Sequence, residues 1–241
     1  MKSVKKIVWK CIFLYKTLQY ITYSPQKAQR KVAIPYYSQF TSRKLVSDFL
    51  TKTKAVQEDP HWRESGAKTK EEYEIWAWNG CGMVCLQMIL SQKFHKKIPF
   101  VTLGRTCEAY GGYSINKKAK EKHDYKNYYD GLFYNPFLTF IQKEYNLKAK
   151  ILSPMIHKEI IKALDTNNFV VASVHPAIRN PASIPNDNRG HLILIVGYDM
   201  NKNNFYLHNP SGLYNTSQEF AEISFKDFTK FFAGRGIVIQ N

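Results

Sequence analysis

At 241 residues the chain can bury a substantial core as one large domain or two small ones, and 44% hydrophobic with 15% aromatic residues excludes a disordered chain. A formal charge of +16 favours acidic partners, but a solvated lysine-rich surface accounts for charge of this kind by itself, and no nucleic-acid partner is expected. Cys11, Cys81, Cys85 and Cys107 form no C-x-x-C pair or dense framework and the seven histidines are scattered, so free thiols in a reducing, cytoplasmic setting are expected, with no metal or other cofactor.

Residues 1–31 carry Lys2, Lys5, Lys6, Lys10, Lys16, Lys27, Arg30 and Lys31 and no acid. Within them Val4, Ile7, Val8, Cys11, Ile12, Tyr15 and Leu18 recur at three- and four-residue spacing, one face of a helix. Lys2, Lys5, Lys6 and Lys16 fall on the other side, with Trp9 and Phe13 among them. The run "CIFLY" stops at Lys16 and no small-residue cleavage site follows, which argues against a secretory signal; a spanning helix would need roughly 20 apolar residues. The expectation is a helix that docks on the domain, with an anionic membrane surface as the alternative partner of residues 1–20, at the membrane periphery. "SPQKAQRK" reads as a connector, which sets residues 1–31 apart from a domain over 32–241.

"VAIPYYSQF" predicts a short strand ending near Gln39, and residues 41–75 a polar excursion. The run "WAWNGCGMVCLQMIL" then opens a helix at Cys81 that is apolar nearly all round, as in a buried central helix. Two further helices are predicted in "FLTFIQKEYNL" and "HKEIIKALDTN", and a strand in "NFVVASVHP". Residues 176–190, with three prolines, read as a long loop of the kind that often serves as a lid or binding loop. "HLILIVGYD" is a strand buried on both faces, "FYLHNP" its antiparallel partner, and "GRGIVIQ" a last strand. Helices first and antiparallel strands later give an α+β fold.

Cys81 is the candidate nucleophile. Unpaired N–H groups and the dipole at a helix N-terminus favour an anion, so a thiol placed there is expected to lose its proton more easily. Gly80 and Gly82 are expected to let a substrate backbone approach the sulfur. A nucleophilic thiol needs a base, and the base needs a third group to hold its tautomer. His191 opens the buried strand directly after the Pro-rich loop, and Asn209 ends the returning one. A five-residue turn over residues 199–203 puts both on one sheet face, about one diagonal step apart, with His208 on the other face. Acyl transfer also needs donors for an oxyanion, and the Gln39 amide with the Cys81 backbone N–H are the candidates. His175 reads as a capping or cleft-rim histidine, Cys85 as core, and "YKNYYDGLFYNPF" as either an aromatic peptide-binding wall or a loop packed on the helices.

Gln39, Cys81, His191 and Asn209 in this order resemble the papain-like clan. "IPYYSQF", "WAWNGCGMVCLQMIL", "SVHPAIRNP", "RGHLILIVGYD", "FYLHNPSG" and "FFAGRGIVI" resemble segments of cysteine peptidase family 39 and its 39-like relatives, the bacterial bacteriocin-processing peptidases, from about residue 32 to the end. The resemblance implies a papain-like α+β layout, a helical half with its central helix at Cys81 facing an antiparallel sheet across a cleft. It implies a thiol hydrolase that cleaves a peptide or protein substrate, with Cys81 as nucleophile, His191 as general base and acid, Asn209 as orienting residue and Gln39 in the oxyanion hole. A catalytically degenerate peptide-binding domain and a thiol acyltransferase are the alternatives. Many members carry Asp where this chain has Asn209, and its gap between Gln39 and Cys81 is longer than in the transporter-fused leader peptidases. No P-loop appears here, so double-glycine leader specificity is not carried over.

Overall fold

The computed structural model of the chain describes residues 2–187 and 190–241, with side chains in the first helix from Ile7 onward. The expected roles of the Val4, Lys2, Lys5 and Lys6 side chains therefore lie outside the described residues, as do Asn188 and Arg189 of the Pro-rich loop. The helices are α1 (Lys2–Gln19), α2 (Val46–Thr51), α3 (Lys70–Asn79), α4 (Cys81–Phe94), α5 (Phe100–Ala109), α6 (Lys117–Glu121), α7 (Tyr134–Tyr145), α8 (His157–Asp165) and α9 (Phe225–Phe231). The strands are β1 (Gln29–Lys31), β2 (Tyr113–Ile115), β3 (Tyr129–Leu132), β4 (Ala149–Leu152), β5 (Phe169–Val174), β6 (His191–Asp199), β7 (Asn204–His208), β8 (Ala221–Ser224) and β9 (Phe232–Ile239).

Side chains alternate across a strand, and in β5, β6 and β9 both alternating sets are apolar, so the sheet they form must be covered on both faces. Among the described residues this sheet runs β4-β9-β5-β6-β7-β8, with β1 also paired to β6. Phe169, Val171, Leu192, Leu194, Val196, Ile237 and Ile239 enter one core with α3, α4, α5 and α7. Val170, Ala172, Ile193, Ile195 and Val238 enter a second core with α8 and α9. The α+β expectation holds, with helices on both faces of an antiparallel sheet rather than on one alone. Each fully buried Leu, Ile or Val on these faces contributes about 1.5–3 kcal/mol.

The register of the β6–β7 hairpin changes along its length. Asp199 pairs with Asn204 across a four-residue turn, whereas Leu194 pairs with His208, and the shift falls between Ile195 and Gly197. One extra residue on β6 at this bulge turns the strand by one position, so Val196 faces the first core and Tyr198 the second. Gly197 sits where β1 crosses close, since a Cβ there would lie 2.3 Å from the Arg30 carbonyl oxygen. The expected five-residue turn is therefore replaced by a shorter turn plus a bulge.

Two other expectations change. "VAIPYYSQF" is extended chain outside the sheet, and the strand lies just before it, where Gln29–Lys31 pairs with Gly197–Asp199. Pro35 has no N–H to donate, and the segment is held instead by single bonds, Val32 N to Val196 O at 2.8 Å and Gln39 N to Pro210 O at 2.8 Å. The polar stretch 41–75 holds α2, several 3₁₀ turns and most of α3. Thr69 caps α3 by accepting from Glu72 N at 3.1 Å, while Glu72 accepts from Lys68 N at 2.6 Å. The Thr-x-x-Glu spacing that places both residues at the start of α3 is readable in the sequence.

Candidate active site

α3 ends where α4 begins, at Gly80, and Cys81 is the first residue of α4. Helix α4 is buried from Gly82 to Leu90, which fixes the sulfur on a rigid element at one wall of a cleft of about 660 Å³. Gln39, Trp78, Tyr134, Arg179 and His191 line the same cleft. Cys81 is partly accessible, whereas Cys85 and Cys107 are buried and Cys11 is exposed; all four thiols are free. Cys85 is a core residue, as expected. The two glycines have another role than the expected one. A Cβ on Gly82 would lie 2.8 Å from Leu132 Cδ2 and 3.1 Å from Leu192 Cδ1, and one on Gly80 would lie 2.6 Å from the Trp76 carbonyl. Their missing side chains make room for the protein's own strands and helices, not for a substrate.

His191 opens β6, and Asn209 follows the last residue of β7. Carried straight from the turn, the Asp199–Asn204 register would put the two on opposite faces; the bulge at Gly197 restores them to one. Their side chains meet, with 2.8 Å between His191 Nε2 and Asn209 Oδ1. Asn209 Oδ1 also accepts from Ser211 N at 3.1 Å, which fixes the amide the right way round. Nε2 is then the protonated nitrogen, and Nδ1 keeps its lone pair. Among the described residues no hydrogen bond joins the Cys81 thiol to this ring, whose bonds go to Asn209 and Ser211. His208 faces away, as expected, with Nε2 2.9 Å from the Ile34 carbonyl and Nδ1 accepting from Phe220 N at 3.0 Å. His175 caps the short helical turn at Pro176–Arg179 by accepting from Ala177 N at 3.1 Å.

Gln39 ties the two halves together. Its Nε2 donates to the Ala77 carbonyl in the last turns of α3 at 2.7 Å, and its backbone N–H donates to Pro210, next to Asn209. One Nε2 proton is left over, and Oε1 is buried without a partner among the described residues.

Sequence reasoning missed Ser211 and Arg179. Ser211 Oγ lies 3.2 Å from His191 Nε2, and Arg179 donates to both oxygens of Ser211, to the carbonyl from Nε at 2.6 Å and to Oγ from Nη2. Arg179 Nη1 donates to the Pro176 carbonyl at 3.0 Å, so its hydrogen bonds among the described residues go to carbonyl and hydroxyl oxygens. The aromatic segment "YKNYYDGLFYNPF" packs partly on the helices and partly lines the cleft. Tyr129 packs against Trp76 and Tyr113 in the core, while Leu132 and Tyr134 reach the cleft.

Burial governs the protonation of the site. It pushes the Cys81 thiol above its ordinary value, and the Leu192 and Gly82 backbone amides with the Arg179 guanidinium only partly oppose it. This overturns the expected easy loss of the Cys81 proton, since desolvation outweighs the helix terminus. Burial also pushes His191 down to about 3, with Arg179 repelling a second positive charge and the Asn209 bond acting the other way. Near neutral pH the site therefore holds a neutral thiol and a neutral imidazole. Among the described residues no cluster of His, Cys, Asp or Glu could hold a metal ion, and no helix is long and apolar enough to cross a membrane.

No curated protein matches the chain. Among solved structures it is similar to the peptidase domain of Streptococcus ComA, a bi-functional ABC transporter involved in a quorum sensing pathway. That likeness has 12% identity and a TM-score of 0.41, covering 67% of this chain and 91% of the other. It is also similar to a protein from Bacillus anthracis described as a C39-like peptidase, with 15% identity and a TM-score of 0.47 over 68% of this chain and 89% of the other. The family model described as the Peptidase_C39 like family matches residues 31–236, a span that takes in the whole cleft. The chain belongs to the Peptidase_C39 like family.

Proposed function

We propose that the protein is a cysteine peptidase that cleaves a peptide or protein substrate through a Cys81 thioester, with His191 and Asn209 completing a triad and Gln39 serving the oxyanion hole. The observation that carries this reading is the His191–Asn209 pair at 2.8 Å, with the amide fixed by Ser211 and the imidazole lining the same cleft as a helix-terminal cysteine. Because the resting groups are neutral, proton transfer accompanies attack. His191 Nδ1 takes the thiol proton as the sulfur bonds to the scissile carbonyl carbon, and Asn209 stabilises the ring by accepting from Nε2–H. The oxyanion receives hydrogen bonds from the Cys81 backbone N–H and the spare Gln39 Nε2 proton, each such donor being worth about 3 kcal/mol of barrier. His191 hands its proton to the leaving amine, then removes one from the water that cleaves the thioester.

The test is a peptide-library cleavage assay beside labelling by a thiol-directed electrophile, on the parent chain and on Cys81→Ala. The parent is expected to cleave and to be labelled at Cys81, and the variant to do neither; cleavage that survives in the variant overturns the reading. The absence of a thiol–imidazole hydrogen bond favours a second reading, a domain that binds peptides without turnover. Retained peptide binding with an unreactive Cys81 would select it.

A further inference from the structure

Helix α1 meets the rest of the protein with the side opposite its apolar stripe. Trp9 covers Gly234, where an added Cβ would fall 2.9 Å from the indole ring, and Phe13 stacks on Trp9 with ring centroids 5.4 Å apart. Lys16 Nζ donates to the Pro154 carbonyl at 2.7 Å and pairs with Glu159, a buried carboxylate, at 3.0 Å. These contacts set which face points out. The residues expected to dock are the ones left in solvent: Ile7 is 58% exposed, Val8 51%, Tyr15 66% and Leu18 63%. Cys11 on the same stripe is exposed as well. The expectation of an apolar face buried on the domain is overturned, and the stripe lacks any cover among the described residues.

Charge decides what would cover it. The segment 1–31 has eight basic residues and no acid. Two copies of a chain with a formal charge of +16 repel one another, whereas an anionic surface attracts such a chain. Among the described residues no helix is long and apolar enough to cross a bilayer, which leaves the interface as its place. We propose that α1 is an interfacial anchor whose outward stripe of Ile7, Val8, Cys11, Tyr15 and Leu18 inserts at the surface of an anionic lipid membrane, to which the positive charge of the chain draws it. Anchored in this way, the peptidase domain is held at the membrane surface by a helix clamped to it through Trp9 and Lys16.

The proposal is independent of the peptidase reading, and its test does not use the cleft. The full chain is floated with phosphatidylcholine–phosphatidylserine vesicles and with pure phosphatidylcholine vesicles, beside the variant Ile7→Ser/Tyr15→Ser/Leu18→Ser. Binding to the mixed vesicles is expected to exceed binding to phosphatidylcholine by about tenfold, and to fall by about tenfold in the variant and at high salt. No binding to the mixed vesicles, equal binding to both kinds, or a variant that binds like the parent each overturns it. A concentration-dependent dimer of the parent that the variant lacks would assign the stripe to a second copy and also overturn it. The parent's two-vesicle comparison decides the matter even if the variant fails to fold.

Discussion

Arg179 clamps the loop that holds Asn209 against His191, by its bonds to both oxygens of Ser211. Its charge also opposes protonation of His191, so the guanidinium joins burial in keeping the imidazole neutral to acidic pH. Removing that charge makes a proton on His191 easier to accept, so its pKa rises from about 3 toward the ordinary histidine value. In Arg179→Met the acidic limb of kcat/KM is therefore expected to move to higher pH, while Arg179→Lys, which keeps the charge, moves it less. A lower kcat with an unmoved limb in Arg179→Met would assign Arg179 to loop packing alone. That Gln39, Cys81 and His191 would line one cleft, with Asn209 against His191, was legible in the sequence from their residue types and the elements that carry them. Ser211 and Arg179 were not, since Ser after Asn-Pro reads as a turn and Arg in a Pro-rich loop reads as solvated. Their role arises only when the loop after β5 folds over the loop after β7.

The β6–β7 hairpin is the element that brings His191 and Asn209 together, and its bulge is the part most exposed to a test. In Gly197→Ala the new Cβ would lie 2.3 Å from the Arg30 carbonyl and 3.0 Å from Lys31 Cα, so the backbone of β1 has to move. Overpacking against backbone costs about 1–3 kcal/mol, a fall in Tm of several degrees for a domain of this size. Any slip of the bulge also rotates His191 away from Asn209, so activity is expected to fall by more than the loss of folded protein accounts for. Thermal melts beside cleavage rates check both, and an unchanged Tm would show that β1 yields freely. The same hairpin shows how far strand parity can be read from sequence. The expected turn was one residue too long, the missing residue reappears as the bulge, and the face assignment for His191 survives because the two offsets cancel. The one signal of the bulge in "HLILIVGYD" is Gly197, since a glycine inside a strand often marks a bulge or a close backbone approach, and a count of strand parity alone passes over it. The N-terminal helix shows the opposite limit: its amphipathic period is plain in the sequence, but which face meets the domain is set by Glu159 and Gly234, far along the chain.

An imidazole is desolvated on each side of the sheet, half-buried His157 on α8 and buried His191 on β6, and this couples the stability of the whole molecule to pH. His157 sits among Phe205, Phe225, Phe228 and Phe232 at the start of α8, and burial pushes it down to about 4, while His191 on the cleft is pushed down to about 3. In the unfolded chain both rings regain the ordinary histidine value of about 6.5. Between that value and about pH 4 these two rings therefore bind two more protons in the unfolded state than in the folded one, buried His208 acts in the same direction, and stability falls as pH falls. Above about pH 6.5 both rings are neutral in either state and their contribution is fully present. Two protons correspond to a slope approaching roughly 2.7 kcal/mol per pH unit in the middle of that window. Chemical denaturation at a series of pH values from neutral to about 4 measures it directly. His157→Phe should lower the slope by one proton's worth, roughly 1.4 kcal/mol per pH unit, without touching the cleft. A flat stability across the window would mean that both rings reach solvent in the folded protein and that burial does not set their charge.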